Sequence, residues 1–172
     1  MSQNLKELNL KNISNQELKY DDRRYVGQVV NGLKEGKGIC YWNNGDKYDG
    51  EWKNAKFEGR GIYTWKDGDR YIGDFKNGFK DGKGIMYWKD GDRYEGDFRN
   101  DKREGKGIFY YNNGLNINGD RYEGDWRNGK KEGKGIYYYH NGDREMGDYS
   151  NDNKIGKHVL LTANGEVKTQ IH

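Results

Sequence analysis

The chain has 172 residues, of which 31% are hydrophobic and 34% charged, with a formal net charge of +3. That apolar supply excludes a two-layer globular core of ordinary size, and an aromatic content of 15% excludes the composition of a disordered chain. Acids and bases interleave instead of forming the basic face of a nucleic-acid binder, and no apolar run is long enough for a spanning helix.

Residues 1–24 are a polar extension without internal repetition. Met1 to Asn15 lacks the apolar stretch of a signal peptide, and the single cysteine, Cys40, fits a reducing compartment. The expectation is therefore a soluble, cytoplasmic protein. Asp22, Arg23 and Arg24 read as the tail of a worn repeat.

From Tyr25 the chain repeats every 23 residues, at Tyr48, Tyr71 and Tyr94, and after an insertion at 115–119 the register resumes at Tyr122. Three glycines follow each tyrosine at fixed offsets, from Gly27, Gly36 and Gly38 to Gly124, Gly133 and Gly135. A fixed period of this size marks an array of supersecondary units, which is a surface for holding something more often than an active site.

Within one unit, Tyr71–Lys76 and Lys83–Trp88 alternate as strands around a turn-rich stretch. Asp90-Gly91 predicts a two-residue type I′ hairpin, as do Asn44-Gly45, Asp67-Gly68, Asn141-Gly142 and Asn164-Gly165. The result is an antiparallel meander of about twelve strands, ~55–60 Å long at ~4.8 Å per strand.

With Asp90-Gly91 as the loop, Trp88 opposes Arg93, Tyr87 opposes Tyr94 and Ile85 opposes Gly96. One face then carries the five tyrosines, the second rings Trp52, Phe75, Phe98 and Trp126, and the aliphatics Ile39, Ile62, Ile85, Ile108, Ile136 and Val159. Val29 and Tyr149 take the second-ring position in the first and last units. The other face carries the pairs Trp42–Lys47, Trp65–Arg70 and Trp88–Arg93, each worth about 0.5–1 kcal/mol as exposed cation–π contacts. Gly84 is expected to need its missing side chain for close packing or unusual φ.

Leu115 to Gly119 read as a longer hairpin loop. At the far end Glu145 replaces the leading tyrosine and His158 replaces a glycine. Residues 145–172 are thus a degraded capping repeat ending in a hairpin about Asn164-Gly165.

The stretch Tyr122 to Tyr139, Y-E-G-D-W-R-N-G-K-K-E-G-K-G-I-Y-Y-Y, closely resembles the MORN repeat, whose pattern is roughly Y-E-G-E-W-x-x-G-x-x-x-G-x-G-x-Y. The resemblance covers 25–144 as five good copies and 145–167 as a sixth, degraded one. It implies an all-β fold, an elongated single-layer twisted antiparallel β-meander. It also implies a non-enzymatic scaffold, since the family occurs in cytoskeletal, junctional and ciliary assemblies, including radial spoke heads. Several members hold a helix or extended peptide in an aromatic groove. A cilium or the cytoskeleton is the location this resemblance implies.

The expected partner groove is Tyr48, Trp52, Tyr71, Phe75, Tyr94, Phe98, Tyr122 and Trp126, with the rings packed sideways and their tops left for a protein partner. The alternative is a tether to anionic phospholipid through a basic loop edge of Lys34, Lys56, Lys80, Arg103 and Lys131, blunted by Asp81, Glu104 and Glu132. The Gly-Lys-Gly triplets precede strands, so they read as structure and not as a phosphate cradle. His140, His158 and His172 lie far apart without Cys or His at ligand spacing, so neither a metal nor a cofactor is expected. No catalytic residues are assigned.

Overall fold

A computed structural model describes residues 14–112, 114 and 119–172. Fourteen strands follow one another in a single antiparallel sheet whose order is the chain order. They are β1 (Ser14–Lys19), β2 (Arg23–Val30), β3 (Leu33–Trp42), β4 (Lys47–Lys53), β5 (Lys56–Thr64), β6 (Arg70–Lys76), β7 (Phe79–Tyr87), β8 (Arg93–Arg99), β9 (Lys102–Tyr110), β10 (Arg121–Arg127), β11 (Lys130–Tyr138), β12 (Arg144–Ser150), β13 (Asn153–Leu161) and β14 (Val167–Ile171). The protein is all-β and single-layered, and among the described residues no helix forms. The chain divides into two compact units, Met1–Phe79 and Lys80–His172.

The strands come from alternation of ring and charge, but the two kinds of turn are exchanged relative to the sequence expectation. The type I′ turns lie between the two strands of each repeat. Asn54 and Ala55 have φ of 49° and 61°, and Asn128 and Gly129 have φ of 52° and 86°. Lys53 pairs with Lys56 around the first of these, which makes it a two-residue loop. Asp90-Gly91 instead belongs to a three-residue loop, in which the Trp88 amide donates to Asp92 at 3.0 Å and the Gly91 amide to Trp88 at 2.9 Å. Gly91, at φ 95°, makes the left-handed bulge residue of a type I turn.

One extra loop residue moves the register by one, and a one-residue slip exchanges the faces. Tyr87 pairs with Arg93, Met86 with Tyr94, Ile85 with Glu95 and Gly84 with Gly96. The isoleucines Ile39, Ile62, Ile85, Ile108 and Ile136 and also Val159 therefore lie half-buried on the face opposite the tyrosines. Trp42 joins the tyrosine face, 6.1 Å from Phe57 and 5.7 Å from Tyr63. The expected tryptophan–cation pairs are replaced: Lys47 faces Tyr41, Arg70 faces Thr64 and Arg93 faces Tyr87 and Tyr110. The outer cation–π contacts are to tyrosine, with Arg93 4.1 Å from the Tyr110 ring and Arg121 3.7 Å from Tyr138.

β1 was not legible in the extension. It pairs with β2 from Ser14 opposite Val29 to Lys19 opposite Arg24, and it is exposed almost throughout. The inserted loop lies largely outside the described residues. Its base is closed where the Tyr111 amide donates to the Asp120 carbonyl at 2.9 Å, and the pairing resumes with Arg121 opposite Tyr110.

Each repeat is held by one buried tyrosine. Tyr25, Tyr48, Tyr71, Tyr94 and Tyr122 are all 0% exposed. Each hydroxyl donates to the carbonyl three residues on: Tyr48 to Glu51 at 2.9 Å, Tyr71 to Asp74 at 3.0 Å and Tyr94 to Asp97 at 3.1 Å. Burial pushes Tyr25 up to about 12 and also raises Tyr48, Tyr94 and Tyr122. Tyr48→Phe leaves the half-buried Glu51 carbonyl without this donor. It should cost about 1–2 kcal/mol, read as a lower urea midpoint at unchanged m-value.

The Gly-Lys-Gly triplets follow from the same geometry. In Gly105-Lys106-Gly107 the first glycine has φ 63°, at a bulge whose following amide donates to Asp97 at 3.3 Å. The lysine pairs with Asp125 of the next repeat at 2.5 Å. A Cβ on the second glycine would run into the Tyr94 ring.

Candidate functional site

The aromatic face is an edge-to-face ladder within each unit. In the first, Tyr25 and Tyr48 flank Trp52 at 5.3 and 5.1 Å, and Tyr48 and Tyr71 flank Phe75 at 5.2 and 5.1 Å. In the second, Tyr94 stands 5.2 Å from both Phe98 and Trp126, and Tyr122 stands 5.4 Å from Trp126 and 5.0 Å from Tyr149. The indole N–H groups are satisfied inside the ladder, Trp52 donating to Gly38 at 2.9 Å and Trp126 to Gly107 at 3.1 Å.

This packing closes the expected groove residues to solvent. Trp52, Phe75, Phe98 and Trp126 are between 4% and 6% exposed, so the ring tops are covered by the fold itself. What remains open is a second row of rings on the same face, at half burial, which the slipped register had placed on the wrong side. In the first unit it is Trp42, Phe57, Tyr63 and Trp65, with Tyr63 4.5 Å from Trp65. In the second, Phe109 is buried and lies 5.3 Å from Trp88 and 4.6 Å from Tyr111, while Tyr111 lies 5.7 Å from Tyr137.

The basic residues expected as a loop edge lie over the rings. Lys34 sits 4.5 Å from the Trp52 ring, Arg103 4.3 Å from Trp126, Lys131 5.0 Å from Tyr122 and Lys80 5.9 Å from Phe98. The reason is cross-strand pairing around the two-residue turn: Lys34 stands opposite Val29, Arg103 opposite Phe98 and Lys131 opposite Trp126, each on the tyrosine face. Burial lowers the affinity of Lys34, Arg103 and Lys131 for their protons. Lys56 does not belong to the row. It is exposed, and the equivalent position is Phe57, stacked on Tyr48 at 4.0 Å. The acids Asp81, Glu104 and Glu132 accept the amides of Asn100, Asn128 and Asn151 at 3.0–3.3 Å, clipping successive turns together.

The two expected sites meet in the first unit. A cleft of about 410 Å³ is lined by Tyr20, Arg23, Lys34, Trp42, Trp52, Ala55, Lys56, Phe57 and Gly78. It combines an aromatic floor with three cationic side chains. That combination suits an extended segment whose apolar faces stack on rings and whose acids meet Arg23, Lys34 and Lys56.

The structure also gathers Glu145, His158 and His172, which the sequence reading had kept apart. One donor atom of each lies within 4.8 Å of the others.

A family model described as the MORN repeat matches residues 25–47, 48–70, 71–93, 94–115 and 122–144. No curated protein sequence matches the chain. Among solved structures, the chain is similar to the TCP domain of SAS-4 (dCPAP), in complex with a proline rich motif of Ana2 (dSTIL) of Drosophila melanogaster. The identity is 15% over 92% of this chain and 90% of that one, with a TM-score of 0.52. A weaker likeness, at 12% identity and a TM-score of 0.37, covers 92% of this chain and 99% of the G-box domain of the microcephaly protein CPAP.

Proposed function

The chain belongs to the MORN repeat family, and on that premise we propose that it is a non-enzymatic scaffold that holds an extended segment of a partner protein against its aromatic face. The observation that carries the reading is the cleft of about 410 Å³ in the first unit, with Trp42, Trp52 and Phe57 as its floor and Lys34 and Lys56 among its walls. Ring-lined grooves favour polyproline II segments, because that conformation is preformed and costs little entropy to bind. The Drosophila TCP domain, similar in fold, was solved with a proline rich motif of its own partner. A proline-rich segment carrying acidic residues is therefore the occupant proposed for this cleft. A larger cytoskeletal assembly, ciliary in kind, is the setting that family analogy supports.

The test is a fluorescence titration of the folded protein with proline-rich peptides bearing aspartate or glutamate, beside phosphatidylserine vesicles. Trp42→Ala, at a half-exposed ring, should leave the circular dichroism unchanged and weaken peptide binding at least about tenfold, as loss of an aromatic anchor does. A protein that ignores every peptide yet binds the vesicles in a salt-sensitive way, with Trp42→Ala unaffected, would replace this reading with lipid tethering.

A further inference from the structure

We propose that Glu145, His158 and His172 form a zinc site that staples the last hairpin of the array. Each arrives by a separate route. Glu145 stands in β12 opposite Leu160 of β13. His158 stands in β13 opposite Gln170 of β14. His172 is held beyond β14 by two backbone hydrogen bonds to Gly156, at 2.9 and 3.0 Å.

Two of the three donor separations bracket that of a tetrahedral ion, and all three lie within 4.8 Å. Glu145 Oε1 lies 3.1 Å from His158 Nδ1 and 3.7 Å from His172 Nε2. Ligands held about 2.0–2.1 Å from zinc at tetrahedral angles stand about 3.4 Å apart. Two imidazoles and one carboxylate are a ligand set that zinc accepts, with a fourth position for water.

The outer hydrogen bonds prepare the donors. His158 Nε2 donates to the Asp148 carbonyl at 2.9 Å, which turns Nδ1 toward Glu145 Oε1. Metal-binding histidines are oriented in this way. Glu145 Oε2 accepts from Tyr139 Oη at 2.5 Å and from Lys154 Nζ at 2.6 Å, so Oε1 is the oxygen left to face the histidines. Glu145 and His158 are 2% and 0% exposed, and both Glu145 Oε1 and His158 Nδ1 are buried without a hydrogen-bond partner. The two atoms stand 3.1 Å apart, a separation that a proton on Nδ1 or a shared metal ion can bridge.

A staple here has a structural purpose. β14 is exposed along its whole length, with Val167 at 67% and Ile171 at 77%. It has almost no burial to hold it, whereas coordination through His172 would anchor its far end to the buried core.

The experiment strips the full chain with chelator, then titrates Zn²⁺ by calorimetry and Co²⁺ by visible absorption. One equivalent should bind, with a tetrahedral cobalt band and a rise in melting temperature. His172→Ala should preserve the dichroism, because the residue lies outside the core, yet weaken zinc at least about tenfold and abolish the thermal rise. Glu145→Gln should act in the same direction. No saturable binding by the wild-type chain, or equal binding by His172→Ala, would overturn the proposal.

Discussion

His158→Gly, measured in the presence of chelator, is expected to destabilise the Lys80–His172 unit by about 3 kcal/mol or more, and adding Glu145→Tyr is expected to recover most of that loss. The sixth repeat differs from the others at both positions, and the two differences compensate. Elsewhere a tyrosine ring from the first strand lies over a glycine of the second and donates to the carbonyl three residues ahead of itself. Here the ring comes from the second strand. His158 reaches the Asp148 carbonyl, three residues past Glu145, and continues the ladder 5.3 Å from Tyr149. Gly147 supplies the room, since a Cβ there would meet the His158 ring.

Removing His158 alone leaves a cavity beside a buried carboxylate. Glu145→Tyr alone puts two rings into one slot and costs about 1–3 kcal/mol through overpacking. Together they restore the arrangement of the fifth repeat, with Lys154 lying over the new ring as Lys131 lies 5.0 Å from Tyr122. Chemical denaturation of the four proteins forms a cycle. Additive losses would mean that the two positions do not exchange one ring.

Gly61→Val is expected to unfold the Met1–Phe79 unit or cost it about 3 kcal/mol or more, since even an alanine Cβ there would force the packed core to shift. That Cβ would stand 2.5 Å from Tyr48 Oη, 2.6 Å from its Cε2 and 2.7 Å from its Cζ. Gly50, directly across the pair, is as crowded, so the backbone has no space to retreat into. Gly129→Ala is the informative contrast. Its φ is 86°, but nothing lies within 4 Å of a Cβ there, and Ala55 already occupies the corresponding turn position at φ 61°. That change should cost no more than about 1 kcal/mol. Equal melting temperatures for the two variants would show that glycine serves the repeat through backbone freedom and not through room for the tyrosine.

The sequence alone determined the period, the strands of the repeats and the face that carries the five tyrosines. Tyrosine every 23 residues, with a ring four residues on and glycines at fixed offsets, leaves little choice but a meander with an aromatic side. Tyrosine and its glycines are local partners, so their relation survives in one dimension. Register did not survive in this way. Asn54-Ala55 and Gly91 all sit at positive φ, and composition does not say whether a loop has two residues or three. That single residue decided that Trp42 and Trp88 stand on the tyrosine face and that Ile85 does not. It also left the placement of Lys34, Arg103 and Lys131 to the fold, because only pairing shows whether a cation beside a turn points to solvent or onto a ring. The exchange of Glu145 and His158 looked like decay for the same reason. Two residues 13 apart in sequence prove to share one volume, and His172 joins them only because β14 folds back beside β13.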